Sequence, residues 1–161
     1  MVRETDQFCQ GSSRVEQQQT STGVWMFVAG RHLETRIFEH LRAGGFDDLT
    51  LAQGRIAARL GPDGTRLTDL AAAAQVTKQT AGFLVDQLER AGYVERRPDP
   101  TDARARLVVL AERGIRAQER AREMEAVVEA EWEAHLGPAR MRELRRALLD
   151  LRALTDPWRE A

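Results

Sequence analysis

The chain has 161 residues, 42% hydrophobic and 30% charged, with a formal net charge of −1; that suffices for one domain with a core and is too short for two independent enzyme domains. The single cysteine, Cys9, excludes a disulfide framework and a Cys-x-x-Cys zinc pair, and His32, His40 and His135 lack metal-ligand spacing, so no metal or cofactor is expected. No run approaches the roughly 18 apolar residues of a membrane span, and the opening Met-Val-Arg-Glu-Thr-Asp lacks a secretory apolar core, so a cytoplasmic protein with no membrane partner is expected. Charge is unevenly spread: residues 65–116 carry nine basic and seven acidic side chains, against seven and eight in 1–64 and eight and ten in 117–161.

Residues 1–22 are rich in Gln, Ser and Thr and read as a disordered arm. Met26, Leu33, Ile37 and Leu41 recur at helical spacing and predict a helix over 24–43, stopped by Gly44-Gly45. Thr50-x-x-Gln53 is a capping box opening a second helix that runs to Leu60, before Gly61-Pro62. Leu67-Thr68-Asp69-Leu70 and four alanines predict a short helix with Thr68 as its N-cap, broken at Gln75-Val76. Thr77 caps the next helix, Lys78 to Ala91, which ends at Gly92. Two short helices joined by a three- or four-residue turn make a helix-turn-helix. Tyr93 to Arg97 and Arg104 to Leu110 have strand character around the turn formers Pro98 to Asp102, so a β-hairpin follows as a wing. In the helix expected over 111–136, Ala121, Met124, Val127, Val128 and Trp132 share a stripe. After Gly137-Pro138 a final helix, 138–154, sets Met141, Leu144, Leu148 and Leu151 at a/d spacing. These faces exceed what one small domain can cover, so a partner chain is expected.

The stretch from Leu67 to Gly114 resembles the signature region of the multiple antibiotic resistance regulator (MarR) family. The likeness rests on Leu84-Val85-x-x-Leu88-Glu89-x-x-Gly92-Tyr93-Val94-x-Arg96 followed by Asp99-Pro100-x-Asp102-x-Arg104, is clear over 46–116 and is architectural at either end. It implies a mainly α fold with a small β-wing: an arm over 1–22, then a single domain over 23–161, with a winged helix-turn-helix lobe at 46–112 and dimerisation helices at 23–45 and 113–155. It further implies a ligand-responsive repressor that binds a pseudo-palindromic operator in double-stranded DNA as a homodimer, with Leu144, Leu148 and Leu151 in the dimer core. In relatives a small aromatic or phenolic effector occupies a cleft beside the DNA-binding lobe, and Trp25, His32 and Phe38 are the candidates to line it. A redox branch of the family uses a cysteine near the first helix, whereas Cys9 sits in the arm without an obvious basic neighbour.

A recognition helix buries one face and offers the other to base edges. Thr80, Ala81, Leu84, Val85 and Leu88 form the inward stripe, leaving Gln79, Gly82, Phe83 and Asp86 outward. Gln79 suits the N6/N7 edge of adenine, Gly82 a close backbone approach, Phe83 thymine methyl groups, and Lys78 a nearby phosphate. The alternative is that Lys78 and Gln79 are solvated and Phe83 packs under the wing. In the wing stand Arg96, Arg97, Arg104 and Arg106, of which Arg96, Arg104 and Arg106 are expected to contact DNA; by resemblance Arg104 enters the minor groove, with Asp102 aiming its guanidinium. Thr68 and Thr77 either cap alone or also reach phosphates. Many relatives have a basic residue where Ala103 stands and a polar or basic one near Phe83, which leaves the operator sequence open. A second function class, a winged-helix protein-interaction module without DNA binding, uses the same wing and Phe83. An enzyme finds no support, since no nucleophile-base pair appears and Gly44-Gly45 and Gly61-Pro62-Asp63-Gly64 carry no P-loop lysine.

Overall fold

Helical spacing and local capping produce most of the elements in the computed structural model, which describes residues 20–156. Helix α1 spans Thr22–Ala43, α2 Leu51–Ala57, α3 Leu67–Ala73 and α4 Lys78–Arg90. Strand β1 is the pair Thr65–Arg66, β2 covers Val94–Asp99 and β3 Asp102–Leu110, followed by α5, Glu112–Leu136, and α6, Pro138–Thr155. No helix among the described residues is long and apolar enough to cross a membrane. The expected arm falls almost wholly outside the described residues, and Cys9 lies outside them.

The capping box forms in full: the Thr50 hydroxyl accepts from the Gln53 backbone N–H at 3.3 Å, and the Gln53 side chain accepts from the Thr50 N–H at 2.8 Å. Helix α2 is shorter than expected, with its C-cap at Ala58. The N-cap of α3 is Arg66, in an extended conformation and without a side-chain cap, so Thr68 does not cap it. The cause is β1, which the sequence reading lacked. Its two residues pair with Val108 and Leu107 and feed straight into α3, so Thr68 already lies inside the helix, where its hydroxyl donates to the Asp69 carboxylate at 3.3 Å. Helix α3 closes with the Val76 N–H donating to the Ala71 carbonyl at 3.0 Å and Gln75 at φ 54°, a left-handed position that usually falls to glycine.

The three strands are antiparallel in the order β1-β3-β2. Val94 faces Leu110 and Arg97 faces Leu107, and an irregularity between Pro98 and Asp99 precedes the tight turn. The hairpin therefore reaches further than expected: pairing continues to Asp99 and resumes at Asp102.

Residues up to Arg36 and residues from Ile37 onward form two separate units. In the first, Val24, Trp25, Met26, Phe27 and Val28 are all exposed, and the Arg31 guanidinium lies 5.8 Å from the Phe27 ring centroid. In the second, Leu41, Ile56, Leu70, Val85, Leu88, Val94 and Val108 are buried in one core, each worth about 1.5–3 kcal/mol relative to exposure. Tyr93 ties this core to its rim. Its hydroxyl donates to Asp48 at 2.6 Å, and Arg113 grips the same carboxylate at 2.8 and 2.9 Å while stacking 4.3 Å from the Tyr93 ring. Desolvation and the Asp48 hydrogen bond push the phenol pKa up. Burial acts to raise the Asp48 carboxyl, but hydrogen bonds from Tyr93 and Arg113 outweigh it and the pKa is lowered. Gly114 is required by packing, since a Cβ there would meet the Tyr93 carbonyl oxygen at 2.0 Å.

Helices α5 and α6 form a hairpin about Gly137, at φ 81°. Val128 and Met141 are buried, and Arg145 pairs with Glu129 at 2.8 Å. Leu144, Leu148 and Leu151 stay 38–41% exposed, and Leu149 and Leu154 more so; an intramolecular core does not cover them.

Candidate nucleic-acid interface

Helix α4 begins where Thr77, in an extended conformation, accepts the Thr80 N–H on its hydroxyl at 3.1 Å. Ala81, Val85 and Leu88 are buried and Leu84 partly so, as expected. Thr80 is the exception. It is exposed, and its hydroxyl lies 2.8 Å from that of Thr77, because the cap turns it toward the helix start and not toward the core.

The opposite face is open. Lys78 and Gln79 are exposed, Gly82 is half-exposed, and Phe83 is 60% exposed, so it does not pack under the wing. A Cβ on Gly82 would meet only a Leu67 methyl, at an ordinary 3.7 Å. Nothing within the protein therefore requires glycine there. Asp86 completes the face, but its carboxylate accepts from Arg96 at 2.6 Å.

Four wing arginines separate into two kinds. Arg96 binds Asp86 and Glu89 of α4 at once, and its backbone N–H donates to Glu89 at 3.2 Å. Both carboxylates raise its pKa against the opposing pull of burial. These pairs fix the base of the wing to α4. Arg97 pairs with Glu95 on its own strand. Arg104 and Arg106 are exposed, and no hydrogen bond or ion pair engages either guanidinium among the described residues. Asp102 does not aim Arg104: it accepts the Arg104 backbone N–H at 3.0 Å and so shapes the turn.

The wing tip has an anchor that the sequence did not reveal. Arg66, from the start of α3, donates to Asp99 at 2.7 Å and to the Thr101 hydroxyl at 3.3 Å. Asp99 is buried and also accepts the Thr101 N–H at 2.8 Å and hydroxyl at 2.7 Å. Those Thr101 hydrogen bonds, then Arg66, hold the Asp99 pKa down at about 2; Arg66 is raised in turn by Asp99.

Of the residues expected near an effector, Phe38 is taken up by packing. It lies against the core of the lobe, with its ring tip where a Cβ on Gly54 would stand, at 2.5 Å. Trp25 and His32 are exposed on α1.

Residues 47–105, which span α2 through the wing tip, match the model of the MarR family. Over that segment the chain is similar to the MarR family. Solved structures are similar over most of the chain. RV1404 from Mycobacterium tuberculosis is 26% identical with a TM-score of 0.66, over 85% of this chain and 95% of that one. MarR from E. coli, in its apo form, is 21% identical with a TM-score of 0.63, over 82% and 97%. A MepR variant from S. aureus, bound to an oligodeoxyribonucleotide, is 21% identical with a TM-score of 0.55, over 85% and 99%. No curated protein matches the sequence significantly. The likeness to MarR structures makes the fold a winged helix-turn-helix one, mostly helical with a small antiparallel sheet.

Proposed function

We propose that this protein is a MarR-type, sequence-specific regulator of transcription that binds double-stranded DNA as a homodimer, with α4 in the major groove and the hairpin in the adjacent minor groove. The observation that carries the reading is how charge is used on the lobe. Asp86, Glu89, Glu95, Asp99 and Glu112 are each paired with an arginine, while Lys78, Arg90, Arg104 and Arg106 are exposed and have no side-chain partner among the described residues. The acids that flank α4 and the base of the wing are thereby paired, and the cations left on the helix start and hairpin are available to a polyanion. Arginine on a hairpin suits the strongly negative potential of a narrow minor groove. Gln79, in the first turn of α4, has the two-point geometry for adenine. A structural neighbour, the MepR variant bound to an oligodeoxyribonucleotide, supports DNA as the partner. The uncovered leucines of α6 are the dimer surface, and pairing two lobes calls for half-sites about one DNA turn apart.

The test selects bound duplexes from random or genomic fragments and measures affinity against salt. If Lys78, Arg104 and Arg106 each meet a phosphate in both subunits, roughly six contacts give a log–log slope of about −5. Gln79→Ala relaxes one base position per half-site. Salt-insensitive binding, or none, together with capture of a protein partner through the wing, would instead establish an interaction module.

A further inference from the structure

Building on the DNA-binding reading, we infer that the Gly82–Phe83 step of α4 reads the C5-methyl group of a pyrimidine, thymine or 5-methylcytosine, at one position in each half-site. Phe83 is the one large apolar side chain of α4 left exposed, and the face around it is unusual in what it lacks. Its hydrogen-bonding side chains, Lys78, Gln79 and Thr80, all lie in the first turn. Asp86, one turn beyond Phe83, would repel the groove, yet Arg96 neutralises it. Gly82 beside Phe83 has no internal packing role. Between Gln79 and Asp86 the reading strip is therefore apolar and low. Major-groove edges offer one apolar group, the C5-methyl of thymine; cytosine shows a bare C5–H there unless it is methylated. Phosphate-bound cations on either side, Lys78 at the helix start and Arg104 on the wing, would press this strip onto the base edges. The occupant that fits is thus a methylated pyrimidine edge, and the site makes the protein sensitive to cytosine C5 methylation as well as to thymine.

The experiment uses the full chain and its selected operator, with thymines in the half-sites replaced singly by uracil and affinities read by fluorescence anisotropy at fixed salt. One position per half-site should lose about fourfold on T→U, the value of one buried methyl. At that position 5-methylcytosine should bind about fourfold tighter than cytosine, by the same transfer. Phe83→Ala should still bind with a steep salt dependence but treat thymine and uracil alike, and Phe83→Leu should keep part of the preference. Uracil tolerated everywhere by the unaltered protein, or a T/U preference that survives in Phe83→Ala, overturns the inference. Failure of the DNA-binding reading looks different: no duplex is selected at all, whatever its pyrimidines.

Discussion

Replacing Gly82 by alanine should move stability and DNA affinity in opposite directions. Gly82 lies inside α4 with an ordinary helical φ, and glycine in a helix interior costs about 1 kcal/mol relative to alanine. The added Cβ finds only the Leu67 methyl at 3.7 Å, a distance at which contact is attractive and not strained. Gly82→Ala should therefore stabilise the protein by about 1 kcal/mol, raising Tm by about 2–4 °C for a chain of this size. Against DNA the same methyl group would stand where the backbone approaches the base edges. If overpacking there costs about 1–3 kcal/mol, as it does in a core, affinity should fall about 5- to 160-fold per half-site. Thermal unfolding and anisotropy titration on one preparation measure both. A variant with raised Tm and unchanged affinity would show that the Gly82 backbone is not against the groove, and a lowered Tm would refute the packing argument itself.

Arg104→Met should weaken binding to all duplexes, reduce the salt slope by about 1 per subunit and leave Tm unchanged, whereas Arg96→Met, which frees two carboxylates beside the reading face, should also destabilise the protein by about 1 kcal/mol. Equal effects in thermal melts and salt titrations would contradict that division. Asp99 has a folded pKa of about 2 against an ordinary 3.8, so the wing clamp is complete above about pH 4 and is lost as pH falls toward 2. Hydrogen exchange at the Thr101 amide should accelerate through that window and be fast and flat with pH-corrected rates in Asp99→Ala; a protected amide in that variant would count against the clamp. Leu148→Glu should convert a dimer into a folded monomer by light scattering, since Leu148 is 41% exposed in the single chain, and a variant that remains dimeric would place the interface elsewhere.

Signals carried by local geometry were legible. The Thr50–Gln53 box, the Thr77 cap and the Gly92 stop, at φ 76°, each depend on residues within four positions of one another, and each forms. What escaped the sequence is non-local. Strand β1 has two residues, too few for any alternation to show, and it exists only because Val108 and Leu107, some forty residues on, offer their edge. Through β1 the N-cap moved from Thr68 to Arg66. Thr80 likewise follows the helical period of the inward stripe, but its hydroxyl finds Thr77 nearer than the core.

The arginines show the same limit at the level of function. Nothing in the chemistry of Arg96 distinguishes it from Arg104, and both stand in the strongest part of the family motif. What separates them is the carboxylates that the fold brings near: α4 carries Asp86 and Glu89 to Arg96, whereas the hairpin carries Arg104 out past Asp102, whose oxygen is taken by a backbone N–H. Arg66 is the converse case, a cation outside the motif that holds the wing tip through Asp99. A guanidinium bonded to two carboxylates would have to give up both to reach a phosphate, and the exchange gains little. One that faces water gives up only its hydration and releases a counterion from the DNA. On the DNA-binding reading, the surface offered to DNA is therefore set as much by where β1, α4 and β2 place their carboxylates and arginines as by the residues that remain free.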